Sequence, residues 1–215
     1  MINRFKKSIY LYVFISFFLA HAGSYEDFFA AIKKDDAATV AALLARGIDP
    51  NTLGPEGLTG LFMAARAGHA KVALVLLEAP DTDVEFRNTA DESPLMLAAL
   101  RGDLPLARAL IARDADVNKT GWAPLHYAAS RGQIAMIDLL LEHNAYIDAE
   151  SPNGTTPLMM AAGYGSAQAT RALLQAGADA TPQNAEGMTA LDFALGFGKA
   201  ESASVLRAAA LAVPQ

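Results

Sequence analysis

The chain has 215 residues, with 17 Lys+Arg against 23 Asp+Glu, a formal net charge of −6, 53% hydrophobic residues and no cysteine. A negative balance argues against nucleic acid and anionic lipid surfaces, which both reward clustered Lys and Arg. Without cysteine there are no disulfide staples and no thiolate metal site, so stability rests on packing.

The first element is a leader. Arg4, Lys6 and Lys7 precede an apolar-aromatic run from Ile9 to Ala20, broken only by Ser16, and Ala20-His21-Ala22 follows. Charge, short hydrophobic core and an A-x-A site describe a secretory signal peptide over residues 1–22, cleaved after Ala22. The run is shorter than the ~20 residues a spanning helix needs, and an uncleaved membrane anchor is the alternative. With no cysteine after the run, a lipidated anchor is excluded; with no twin arginine, export in the unfolded state is expected. Removing the leader's three basic residues leaves 14 Lys+Arg against 23 Asp+Glu, a net of −9. The mature chain is expected in the periplasm of a Gram-negative bacterium or in the secreted space, with no membrane contact after cleavage.

From residue 59 onward one phrase returns. It stands as Thr59-Gly60-Leu61-Phe62-Met63-Ala64-Ala65, Ser93-Pro94-Leu95-Met96-Leu97-Ala98-Ala99, Ala123-Pro124-Leu125-His126-Tyr127-Ala128-Ala129, Thr156-Pro157-Leu158-Met159-Met160-Ala161-Ala162 and Thr189-Ala190-Leu191-Asp192-Phe193-Ala194-Leu195. The leucines at 61, 95, 125, 158 and 191 are 34, 30, 33 and 33 residues apart. A period of that size means stacked supersecondary units, each too small to bury its own apolar face. Thr or Ser before Pro suits a helix N-cap, and Pro at the first helical position lacks only an N–H that would be unpaired there. The alanines let this first helix approach its neighbours. Gly68, Gly102, Gly132, Gly165 and Gly198 then end it, tolerating positive φ. Eight residues past a glycine comes an apolar pair on a second helix, Leu76-Leu77, Leu110-Ile111, Leu140-Leu141 and Leu173-Leu174. Pro105 falls in a first turn, where it does little harm. Asp114 and Asn144 stand where a second glycine would otherwise take the left-handed region.

The phrase resembles the ankyrin signature T-P-L-H-x-A-A. The resemblance extends to Gly68-His69, Gly102-Asp103 and Gly132-Gln133, to Ala115-Asp116-Val117-Asn118, and more loosely to Ala178-Asp179-Ala180-Thr181. Phe28, Asp35, Leu43-Leu44 and Gly47-Ile48-Asp49-Pro50-Asn51 fall on the same register ahead of it. The resemblance implies an all-α fold: an ankyrin-repeat α-solenoid of about six stacked helix-turn-helix units joined by β-hairpin-like loops. These fill residues 23–215, with repeats at about 26–58, 59–92, 93–122, 123–155, 156–188 and 189–213. The degraded phrase after Glu26 and the arginine at 207 fit capped ends, so a complete array is expected.

Two loops break the period. The interval holding Ala79-Pro80-Asp81-Thr82-Asp83 exceeds the 33-residue period by one, and the one holding Asn118-Lys119-Thr120-Gly121-Trp122 falls short of it by three. Trp122, the single tryptophan, is either a binding anchor or filler for a missing finger; both readings stand. The resemblance also implies contact through a concave face. Its loop tips would be Leu58, Glu92, Trp122, Thr155 and Met188, and its helix-end positions Arg66, Arg101, Arg131, Tyr164 and Phe197. That stripe, arginine-rich at one end and aromatic at the other, suits an extended acidic-and-apolar segment of a partner protein.

Catalytic patterns are weak. His69 and His126 occupy family positions that hydrogen-bond adjacent loops, and His143 ends a helix. Gly163-Tyr164-Gly165 and Gly196-Phe197-Gly198-Lys199 lack phosphate-loop spacing and follow helices. Asp81, Asp83 and Glu85 alternate but lack the Gly and distal Glu of a calcium loop. Asn118-Lys119-Thr120 and Asn153-Gly154-Thr155 read as glycosylation acceptors for a host with that machinery. The expected function is therefore a protein-protein interaction module, a monomer with an unidentified protein partner, no cofactor and no enzymatic activity. The alternatives are a secreted effector acting on host proteins, and an enzyme or metal-dependent factor on a repeat scaffold.

Overall fold

The computed structural model describes residues 23–212, so the expected leader and its expected cleavage site lie outside the described residues. The rest forms two compact units, one ending at Asp83 and one beginning at Val84.

In the first unit residues 23–33 are helical (α1), followed by α2 (Ala37–Ala45), α3 (Gly60–Ala67) and α4 (Ala70–Glu78). Both α2 and α3 pack on α4, burying Phe28, Ile32, Val40, Leu61, Phe62 and Leu76. Gly60 stands where the other phrases carry Pro or Ala for a steric reason. A Cβ there would lie 2.7 Å from Ile32 Cδ1. Nδ1 of His69 meets the Ile32 carbonyl at 2.8 Å, so this histidine ties two helix ends together.

The second unit holds four helix pairs: α5 (Pro94–Arg101) with α6 (Leu104–Ile111), α7 (Pro124–Ser130) with α8 (Ile134–Glu142), α9 (Pro157–Gly163) with α10 (Ala167–Gln175), and α11 (Ala190–Gly196) with α12 (Ala200–Ala212). First helices pack in the order α5, α7, α9, α11, and second helices in the order α6, α8, α10, α12. The alanine pairs 98–99, 128–129 and 161–162 are buried in the first row, where anything larger would push the helices apart. Of each apolar doublet on the second row, Leu110, Leu140 and Leu173 are buried, each contributing about 1.5–3 kcal/mol. Their followers Ile111, Leu141 and Leu174 are only half-buried.

Three first helices of the second unit, α5, α9 and α11, close their N-termini from two directions. The hydroxyls of Ser93, Thr156 and Thr189 accept from the backbone N–H of Met96, Met159 and Asp192. In return, the backbone N–H of Ser93 and Thr156 donate to the Met96 and Met159 sulfurs, and that of Thr189 to Asp192 Oδ2 at 2.8 Å. Ala123 has no hydroxyl, but its N–H still donates to Nδ1 of His126 at 3.1 Å. The fourth phrase residue is thus a second cap.

The loops between pairs are hairpin-like turns. Backbone N–H groups of Asn88, Ser151 and Asn184 donate to the carbonyls of Glu92, Thr155 and Met188. Among the described residues the strand-type pairing is a single bridge, Leu53 with Thr59, in the first unit. Two of these turns differ in the partner of the asparagine Nδ2. Asn88 Oδ1 accepts from Ala90 and Glu92 N–H, and its Nδ2 donates to Glu92 Oε2 at 2.7 Å. Asn184 Oδ1 accepts from Glu186 and Met188 N–H in the same way. Its buried Nδ2 meets no acceptor among the described residues, because Met188 stands where Glu92 does. Met188→Glu is expected to supply that acceptor and to raise stability in urea denaturation by about 0.5–1.5 kcal/mol. An unchanged or lower midpoint would contradict this reading of the turn.

Candidate protein-docking pocket

Adjacent loops of the second unit are laced through side chains. Asn118 Nδ2 donates to the Asn144 carbonyl at 2.8 Å, and Tyr146 N–H donates to Asn118 Oδ1 at 2.7 Å. With both polar atoms engaged, Asn118 is a structural strut. Carboxylates do the same work elsewhere: Asp116 N–H donates to Glu85 Oε1, and Asp179 N–H to Asp148 Oδ1. Burial raises the Asp148 carboxyl above its ordinary range, with the Asp179 charge adding to the rise.

The short loop at 117–122 has no turn of the kind seen at 88–92. Lys119 occupies the space instead, its side chain only 3% exposed. Its Nζ pairs with Asp91 and donates to the carbonyls of Thr120 at 3.0 Å and Trp122 at 3.4 Å. Beyond it the Trp122 ring lies edge-on to His126, with centroids 5.3 Å apart and planes at 75°. Nδ1 of His126 accepts from Ala123, so Nε2 carries the proton and donates to the Thr155 carbonyl at 2.9 Å. Burial holds this imidazole below the usual histidine range. It is a neutral, doubly bonded core group, unsuited to metal or acid-base work.

Trp122 and His126, with Leu100, Tyr127, Ser130 and Met160, line an open hollow of about 220 Å³. A cavity of roughly 150 Å³ takes up a benzene ring, so the hollow admits one bulky aliphatic or aromatic side chain. The Tyr127 hydroxyl donates to Glu92 Oε1 at 3.2 Å. Burial, then the Glu92 charge and hydrogen bond, push its ionisation well above the ordinary phenol range. The phenol therefore stays a neutral donor. One helical turn beyond Met160, Tyr164 continues the apolar surface. Its ring packs against Phe197 with centroids 4.4 Å apart and planes tilted by 49°, and each residue is 49% exposed.

The expected contact residues are distributed unevenly. Trp122 lines the hollow, and Tyr164 and Phe197 form an exposed pair at the ends of α9 and α11. Arg101, Arg131 and Met188 are exposed in the second unit, and Glu92 is half-buried and committed to Asn88 and Tyr127. Thr155 is buried, its carbonyl bonded to His126. In the first unit Leu58 is only 7% exposed, so it is a packing residue with no face to offer. Arg66 there is exposed and paired with Glu56 at 2.6 Å.

Leu100, Tyr127, Met160 and Lys119 were not anticipated. Three of them had a readable mark. Tyr127 and Met160 occupy the fifth position of the repeated phrase, one of several that vary, and Leu100 directly follows the alanine pair of its own phrase. Other hollows are more polar. One of about 400 Å³ lies among Gly165, Ser166, Lys199 and Ser202, at the N-termini of α10 and α12. Two lie in the first unit, around Met63 and Arg66 and around Asp36 and Arg46. Among the described residues no group of three or more His, Cys, Asp or Glu is placed to hold a metal ion, and no helix is long and apolar enough to cross a membrane.

Comparison with known proteins agrees with this architecture. Family profiles described as ankyrin repeats match residues 28–77, 75–151 and 144–212. A crystal structure of an ankyrin repeat domain from Acinetobacter baumannii AYE superposes with a TM-score of 0.73 at 27% identity, covering 84% of this chain and 96% of that one. The likeness sets the chain among the all-α repeat solenoids. Ankyrin repeat and SAM domain-containing protein 6 of Rattus norvegicus is 31% identical over 111 residues, which is 50% of this chain and 12% of that protein. Ankyrin repeat and KH domain-containing protein mask of Drosophila melanogaster is 37% identical over 93 residues, 41% of this chain and 2% of that protein. The matches thus span a fifth or less of these curated relatives.

Proposed function

The chain belongs to the ankyrin-repeat family, and we propose that it is an exported protein-protein interaction module. Repeats of this kind are generally such modules, and the hollow bounded by Trp122 is the observation that carries the reading here. It offers an apolar floor, a neutral phenol donor and a large aromatic wall, the composition of a hot-spot pocket. The partner inserts one bulky apolar side chain between Leu100, Trp122 and Met160, and continues over the Tyr164–Phe197 pair. Arg101 and Arg131, exposed at the ends of α5 and α7, favour acidic residues flanking the inserted one. No residue in the hollow is arranged for turnover: the histidine is capped at both nitrogens, and the phenol is held neutral.

The setting follows from residues 1–22, whose charge, apolar run and small-residue site suit export to the periplasm or the medium.

A photoreactive benzoylphenylalanine at Ser130, on the rim of the hollow, tests both parts in the native host. The expected result is one recurrent protein adduct, found in the periplasmic fraction or the medium. The same probe at Arg171, exposed on α10, is expected to give none. Equal yield from both positions, or an adduct confined to the cytoplasm, would refute the proposal.

A further inference from the structure

A lysine with its side chain 3% exposed is unusual, since lysines are almost never fully buried unless paired. Lys119 is paired with Asp91, which belongs to the preceding turn and remains 64% exposed. The same Asp91 also faces Arg87 at 3.5 Å, and Arg87 reaches Glu85 at 2.9 Å and Asp116 at 3.8 Å. The ammonium therefore joins three things: the tip of the 88–92 turn, the Thr120 carbonyl and the Trp122 carbonyl. These last two backbone groups belong to the loop that is three residues short. With no turn to bind its own carbonyls, that loop takes its donor from the lysine instead. An ion pair whose carboxylate lies at the surface adds little net stability, so its effect lies in what it fixes.

We infer that Lys119 is a positioning residue: bound to Asp91, it replaces the missing turn and holds Trp122 across the mouth of the hollow. The ring is placed by one cation through two neighbouring carbonyls, while the Asp91 end of the brace sits at the surface. The loop tip at 91 and the pocket wall at 122 thus move as one. A partner that reaches Asp91 reorients Trp122 without touching it.

The inference concerns the free protein and does not depend on which partner enters. Trp122 is the only tryptophan, so its fluorescence reports the position directly. Lys119→Met keeps the length of the side chain and buries no orphan charge, because Asp91 stays solvated and keeps Arg87. Its Trp122 emission should shift to the red, and acrylamide quenching should rise about twofold as the loop opens locally, with the helical circular dichroism unchanged. Asp91→Asn, which keeps shape and removes only the charge, should move both readouts in the same direction by less. Should Lys119→Met not fold, Asp91→Asn decides. Leu206→Ala, which opens a cavity in α12, serves as a control for general loosening and should leave Trp122 unmoved. A fall in melting temperature without a change in Trp122 emission would reduce Lys119 to a structural residue and overturn the inference. An equal shift in the Leu206→Ala control would do the same.

Discussion

Leu140→Ala should lower the stability of the 84–215 unit by about 2–5 kcal/mol, read from urea unfolding followed by helical circular dichroism. Leu140 is fully buried on α8, and α8 packs against α7 of its own pair and against α6 and α10 on either side. Removing its branched end takes apolar area out of the interior and leaves a void at the centre of the row. In a repeat array each unit contacts only its neighbours, so no third layer collapses into that void. The loss should therefore fall on coupling as well as on total stability. The transition is expected to broaden, as repeats on either side of α8 unfold less in concert. A loss well under 1 kcal/mol would mean that the doublet does not fill the space between repeats, and the register of the second helices would be wrong.

How much of this could be read beforehand depends on what each residue does. Leucine spacing carried the repeat length, and the Thr-Pro and Ser-Pro pairs carried the helix starts, because both are local consequences of backbone geometry. Asp114 and Asn144 were expected in the left-handed region and stand there, at φ 62° and 61°. Gly165 was expected to turn the chain through positive φ as Gly68, Gly102, Gly132 and Gly198 do, and it does not. The helix already ends at Gly163, with Tyr164 at φ −112°. A Cβ at 165 would collide with the carbonyl of Ala129 and lie 2.9 Å from that of Ala161. The same residue is required there for close approach, and sequence alone does not separate the two reasons.

The doublets mislead in a similar way. Leu141 and Leu174 look equal to Leu140 and Leu173 in the chain, yet only the first of each is buried. Leu58 and Thr155 were placed at loop tips by family register, but these turns are tight, and both side chains fold inward. Trp122 had two open readings, anchor or filler. The structure shows Lys119 filling the gap and Trp122 lining the hollow. No local pattern announces that lysine, since its partner Asp91 lies 28 positions earlier on another repeat. Long-range pairs of this sort are set by stacking, and stacking is what a single chain's spelling least constrains.

The central claim is that a partner is held at the Trp122 hollow and along the Tyr164–Phe197 pair. Truncating both Trp122 and Tyr164 removes the aromatic wall of the hollow and one ring of the exposed pair without opening the row of buried leucines. Hot-spot truncations of this kind cost about 2 kcal/mol or more each. Two of them exceed what a moderate complex can lose, since each 1.4 kcal/mol is roughly tenfold in affinity. The direct measurement is capture of the partner identified by the Ser130 cross-link, comparing the wild-type chain with Trp122→Ala/Tyr164→Ala, alongside their helical circular dichroism. The double variant is expected to keep its helical signal and to lose capture. Undiminished capture by a folded double variant would contradict the claim.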